Sequence, residues 1–205
     1  DYSYYQLALV SGLQKNYDGK ITLLNQLASK YPNSPYAVNA LYEKGRSYVQ
    51  SRNRNQAIAT FRELLNKYPE SSVSRKAATE IGLLYYQNDD YNHAIEAYKY
   101  VISKYPGSEE ARLAMRDLKS IYVEANRVDE FAALAAQMPG VIRFEPSEQD
   151  SLTYIAAEKV YMKEEISPAR ESFIRYLQSY PNGAFSLNAH YYLSLIGKEQ
   201  KDETA

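Results

Sequence analysis

The sequence predicts an all-α solenoid, a series of antiparallel helical hairpins stacked one on the next. The first observation is a recurring phrase: Lys30-Tyr31-Pro32-Asn33-Ser34, Lys67-Tyr68-Pro69-Glu70-Ser71, Lys104-Tyr105-Pro106-Gly107-Ser108 and Ser179-Tyr180-Pro181-Asn182-Gly183. Its tyrosines are spaced by 37, 37 and 75 residues, the last gap being two periods plus one residue. The second is that apolar residues between the phrases recur at helical spacing. The third is a short polar stretch bearing Asn or Asp inside the period, which splits it into two helices. A fixed period of this length marks stacked repeats, none of which buries its apolar face alone.

The units follow in order as about five hairpins and a half: 1–34, 35–71, 72–108, 109–140, 150–183 and a half repeat over 184–197. The first closes at Pro32. In the second, Ser34 then Pro35 reads as N-cap and first helical residue, where a missing N–H costs nothing. Its first helix, Tyr36 to Val49, carries Leu41, Gly45 and Tyr48, and its second runs from Gln56 to Lys67. In the third, Arg75 to Tyr86 carries Ala78, Gly82 and Tyr85, and Asn92 to Lys104 follows. The fourth opens on Glu109 and Glu110, favourable to a helix dipole, and stops at Met138-Pro139-Gly140. The stretch 141–149 lacks helical periodicity, yet Val141, Ile142 and Phe144 are too apolar for a free linker and are expected to dock on neighbouring helices. Ser167-Pro168 opens the second helix of the fifth unit, and 198–205 reads as a frayed tail or the way onward to more repeats. The whole, 1–205, reads as a single solenoid domain.

Aligned on Tyr-Pro, Gly45, Tyr48, Ala57, Phe61 and Pro69 match Gly82, Tyr85, Ala94, Tyr98 and Pro106. This spacing resembles the tetratricopeptide repeat. The resemblance implies a right-handed superhelix in which Gly45 and Gly82 let paired helices approach closely while Phe61 and Tyr98 fill the gap between units. Lys20 departs from the pattern where Ala is expected, Lys119 where a small residue is expected, and Phe131 stands in an Ala position. The Tyr-Pro-x-Ser phrase with an Ala-rich helix is similar to a bacterial subgroup that includes the periplasmic coordinator of the Tol–Pal system and the lipoprotein of the outer-membrane β-barrel assembly machinery. That similarity implies a periplasmic or otherwise extracytoplasmic location.

Composition narrows the function. Lys plus Arg number 24 against 25 Asp plus Glu, a net charge of −1, whereas a general nucleic-acid binder needs a basic stripe. No apolar run is long enough to span a membrane, so direct insertion is not expected. With no cysteine, thiolate catalysis, disulfides and thiolate metal sites are excluded. The chain opens on Asp1 inside an amphipathic pattern, which reads as a piece of a longer or processed precursor.

Candidate chemistry reduces to structure. Asp89-Asp90 sits where a helix cap belongs, and His93 and Glu96, three residues apart, have no second such pair to complete a metal site. His190 reads as a surface or packing residue. No nucleophile elbow, phosphate loop or dinucleotide fingerprint occurs. No catalytic, cofactor-binding or metal residues are therefore assigned, and no cofactor.

Tyrosine, at 22 residues, is the outlier. Tyr48, Tyr85, Tyr98 and Tyr122 fall at family packing positions. The resemblance also implies that first helices line a concave wall, here Asn39, Tyr42, Arg46 and Val49, then Lys76, Thr79, Leu83 and Tyr86, then Arg116, Ser120 and Val123, and finally Tyr154, Glu158 and Tyr161. Tyr and Arg are enriched among binding hot spots, so this wall suits a protein or peptide partner, or an adjacent domain of the same polypeptide. The expected function is a non-enzymatic protein–protein interaction scaffold. The alternatives are a regulatory or substrate-presenting arm of a larger enzyme or envelope assembly, and carbohydrate binding through the tyrosines.

Overall fold

The structure, a computed structural model, describes residues 1–202. Among them are eleven helices and no strand: α1 (Tyr2–Leu13), α2 (Tyr17–Lys30), α3 (Ala37–Gln50), α4 (Arg54–Lys67), α5 (Ser72–Tyr86), α6 (Tyr91–Lys104), α7 (Glu109–Glu124), α8 (Val128–Gln137), α9 (Pro146–Met162), α10 (Ile166–Ser179) and α11 (Ser186–Asp202). Where the sequence predicts one array, contacts group the chain into two compact units, Asp1–Ala114 and Met115–Ala205, divided within α7. α11 continues through the first part of the expected tail to Asp202, and 203–205 lie outside the described residues.

One corner closes hairpin after hairpin. Lys15, Arg52, Asp89, Asn126 and Glu164 all adopt left-handed backbone, with φ between 54° and 62°. The next residue's N–H bonds back five residues, as in Asn53 N to Tyr48 O at 2.8 Å and Arg127 N to Tyr122 O at 2.8 Å, so the end of the first helix is satisfied. In the first unit that next residue also caps the second helix. Asn16 Oδ1 accepts from Gly19 N at 2.9 Å, Asn53 Oδ1 from Gln56 N at 3.4 Å and Asp90 Oδ1 from His93 N at 3.3 Å. The Tyr-Pro phrase then ends α2, α4, α6 and α10 on Tyr31, Tyr68, Tyr105 and Tyr180, since Pro cannot donate the next helical bond.

In the first unit, α1/α2, α3/α4 and α5/α6 are hairpins, with α2 stacked on α3 and α4 on α5. Its core is mainly apolar, for example Phe61, Leu64, Ala77, Ile81 and Leu84 between α4 and α5. The turn before α5 is fixed from inside: buried Ser74 donates its hydroxyl to Tyr68 O at 2.6 Å, and the Tyr105 hydroxyl donates to Pro69 O at 3.2 Å. One boundary differs from expectation. α3 begins at Ala37 with Tyr36 at its N-cap, because Ser34 Oγ accepts from Tyr36 N at 3.1 Å and holds 34–36 in a turn ahead of the helix. Pro35 therefore belongs to that turn and not to the helix.

In the second unit α8 is short, ten residues, and Phe131 is buried against Tyr122 and Phe144. Phe131 thus fills the aromatic position of Phe61 and Tyr98, seven residues before the stop, rather than the Ala position to which a constant period assigns it. The irregular stretch is also shorter than expected, since α9 starts at Pro146, whose fixed φ suits a first helical residue. Ile142 is buried and Phe144 packs edge-on to Phe131 at 4.9 Å, whereas Val141 stays exposed. The last Tyr-Pro turn is held by Asp150: Tyr176 donates to Oδ1 at 2.6 Å, Ala184 N to Oδ2 at 2.8 Å, and Phe185 N donates to the Tyr176 hydroxyl at 3.0 Å.

Candidate functional site

In the first unit the exposed side of the first helices carries the residues singled out by sequence. Asn39 and Lys76 are exposed, and Tyr42, Arg46, Val49, Thr79, Leu83 and Tyr86 are half-buried. α3 lies against α5, and Arg46 Nη1 stands 3.7 Å from Glu80 Oε1 across that contact. Tyr42 and Arg46 lie one turn apart on α3. Burial pushes the Tyr42 hydroxyl above its ordinary range, and the Arg46 guanidinium opposes that rise. Tyr42 in turn raises the Arg46 guanidinium, keeping it charged. Tyr42 rests on Phe61, ring centroids 5.8 Å apart, so core packing orients it.

Sequence reasoning missed the contribution of α1. A recess of about 640 Å³ opens between α1, α2 and α3, lined by Leu9, Gly12, Lys15, Lys20, Glu43 and Arg46 among others. Leu9 stands 37 residues before Arg46, so the period itself was the available signal. Lys20, in the position where Ala is expected, is buried and paired with Glu43. Gly12 makes room for it, since an added Cβ would lie 2.8 Å from Lys20 Cδ.

In the second unit Arg116 and Ser120 are exposed, and Arg116 bonds its neighbour Asp117 at 3.1 Å. Two of the assigned residues sit in the core instead. Val123 is buried with Val128 and Ala156, and Tyr154 is buried beneath Phe185, stacked at 4.6 Å. Tyr154 is covered by the terminal half repeat, whose Phe185 folds over it, whereas Val123 is covered by Ala156 and Leu152 of α9 and by Phe144. Glu158 accepts from the Tyr154 hydroxyl at 2.9 Å and from Tyr192 at 3.1 Å, so its carboxylate is already engaged. Burial, then the bond to Glu158, drives the Tyr154 hydroxyl well above the tyrosine range. Tyr161 packs edge-on against Tyr192 at 4.9 Å.

Asp90 and His93, considered for chemistry, have structural duties, and His190 is exposed. Asp90 caps α6 and meets His93 Nδ1 at 2.8 Å, which holds the carboxyl below its ordinary range, and His93 stacks on Tyr85 at 5.0 Å. Among the described residues no group of three or more His, Cys, Asp or Glu is placed to hold a metal ion. Nor is any described helix long and apolar enough to cross a membrane.

Comparison with known proteins now decides the family. A family model described as outer membrane lipoprotein, YfiO, matches residues 37–194. The chain belongs to the YfiO family. A tetratricopeptide-repeat model matches residues 2–34, and no curated protein matches by sequence. Among solved structures, a tetratricopeptide repeat protein from Parabacteroides merdae ATCC 43184 is similar over 98% of this chain and 75% of its own, with 10% identity and a TM-score of 0.58. A MamA protein is similar over 88% of this chain and 91% of its own, with 17% identity and a TM-score of 0.53. These likenesses establish the fold alone: an all-α solenoid of tetratricopeptide type. The resemblance to that repeat and to its outer-membrane-associated bacterial subgroup is borne out. YfiO and tetratricopeptide families are generally non-enzymatic scaffolds, and membership in an outer membrane lipoprotein family points to the cell envelope.

Proposed function

We propose that this YfiO-family chain is a non-enzymatic interaction scaffold of the periplasm, and that the first-helix side of its first unit receives a protein segment or a neighbouring domain. The observation that carries this reading is the Tyr42–Arg46 pair. An aromatic ring seated on the core and a charged guanidinium held beside it form a preorganised, partly exposed hot-spot combination. Leu83 and Tyr86 extend this surface on α5, and the 640 Å³ recess beside Arg46 extends it toward α1. Balanced charge disfavours nucleic acid as the partner.

The test is affinity capture from the native cell followed by mass spectrometry. Capture by the parent chain should disappear when Tyr42, Arg46 and Tyr86 are all changed to Ala, with the helical circular dichroism unchanged. Equal capture by parent and variant refutes the reading.

A further inference from the structure

A recess of about 410 Å³ lies between α4, α5 and α6, bounded by three helices of the first unit. Its size falls within the range of small-molecule pockets, roughly 300–1,000 Å³. Ala78 and Ile81 form its floor and are only 2% and 5% exposed. Tyr85, Ala97 and Tyr100 continue that largely apolar surface up the walls.

The preceding repeat supplies the comparison. The equivalent recess between α2, α3 and α4 measures about 180 Å³. Asn25, Leu41, Lys44 and Glu63 line it, each standing 37 residues before Arg62, Ala78, Ile81 and Tyr100. Leu41 gives way to Ala78, which removes bulk from the floor, and Lys44 gives way to Ile81, which removes a charge. Glu63, ion-paired with Lys67 at 2.7 Å, gives way to the ring of Tyr100, and Asn25 to the guanidinium of Arg62. One helical frame is thus narrow and charged in one repeat, wide and apolar in the next.

Arg62 completes the site. Its Nη2 donates to the Tyr85 hydroxyl at 3.0 Å, so the phenol accepts there and keeps its own proton to donate. The partner of this guanidinium is therefore a neutral phenol, although two carboxylates stand nearby. Those are engaged elsewhere: Glu96 accepts from Lys99 Nζ at 3.0 Å, and Asp90 meets His93 Nδ1 at 2.8 Å. A cation and a hydroxyl donor are left side by side above an apolar floor.

We infer that this recess binds a small aromatic carboxylate, with its ring over Ala78 and Ile81 and its carboxylate on Arg62 and the Tyr85 hydroxyl. A planar guanidinium grips a carboxylate through paired, charge-assisted bonds, and the tyrosine walls favour a flat ring. The site is separate from the Tyr42–Arg46 surface and gives the proposed scaffold a ligand of its own.

The probe is naphthoate, titrated into the isotope-labelled 205-residue chain and followed by amide chemical shifts, with uncharged naphthamide in parallel. Saturable shifts are expected at Ala78 and Ala97. Arg62→Asn, which installs the residue of the preceding repeat, should weaken naphthoate about tenfold or more and naphthamide by less than about twofold. Ala78→Leu should weaken both probes by filling the floor. Because Ala78 is buried, Tyr100→Glu, at a position 42% exposed, serves as the second variant and should also weaken both. The Tyr42, Arg46 and Tyr86 triple variant should bind naphthoate normally, which separates failure here from failure of the first-helix reading. Shifts that do not saturate, shifts confined to residues outside α4, α5 and α6, or equal naphthoate affinity in the Arg62 variant overturn the proposal.

Discussion

A Cβ built on Gly82 would lie 2.7 Å from Cε1 of Tyr98, a ring with no solvent exposure. The same relation joins Gly45 to Phe61 one period earlier. Gly82→Val should therefore cost about 1–3 kcal/mol through overpacking, read as a lower urea midpoint at unchanged slope. Gly197 in α11 is the contrast, since an added Cβ there meets nothing within 4 Å. Gly197→Ala should be neutral or stabilising by up to about 1 kcal/mol.

Arg52 sits at φ 60° in the corner between α3 and α4, a conformation that opposes any side chain with a Cβ. Arg52→Gly should stabilise the chain by about 1 kcal/mol, because the left-handed corner is native to glycine. A raised urea midpoint would verify it. A lowered one would show that the unfolded chain's added freedom outweighs the relieved strain.

Ser74 has no solvent exposure and spends its hydroxyl on Tyr68 O. Ser74→Ala leaves that carbonyl without its side-chain donor and should cost about 1–2 kcal/mol. Ser72→Ala, two residues earlier and exposed, should change the midpoint by less than about 0.5 kcal/mol.

Alkali should unfold the chain in a defined window. Burial, with Tyr100 beside it, pushes Tyr105 from 10.0 to about 12, and burial with the Asp150 bond pushes Tyr176 to about 12. Above pH 10.0 the unfolded chain releases phenolic protons that the folded chain still holds. Stability from these groups is thus complete below pH 10.0 and declines as the pH climbs toward about 12. Denaturant midpoints measured across that interval, alongside tyrosinate absorbance, should fall together. A flat profile would contradict the assignment.

The hairpins were legible because their determinants are local: Tyr-Pro stops, Asn16, Asn53 and Asp90 at caps, and small residues opposite aromatics. Positions with two competing partners were not. Ser34 bonds its own turn instead of capping α3, and Phe131 follows the stop at Met138 rather than a constant period. Partial exposure of the assigned residues was legible where neighbouring hairpins repeat faithfully, at Tyr42 and Arg46. It failed at Tyr154 because exposure depends on what packs above, and Phe185 arrives from 31 residues later.

The hydroxyl of Tyr105 reaches Pro69, 36 residues back, and Tyr192 reaches Glu158, 34 back. Ties of this reach demand little loop closure before they reward the chain. Each unit can assemble by adding one hairpin to its neighbour, on the order of microseconds to milliseconds, as other low-contact-order helical proteins do. A nascent polypeptide emerging from a narrow exit would thus begin to shield its greasy surfaces before its last segment has appeared.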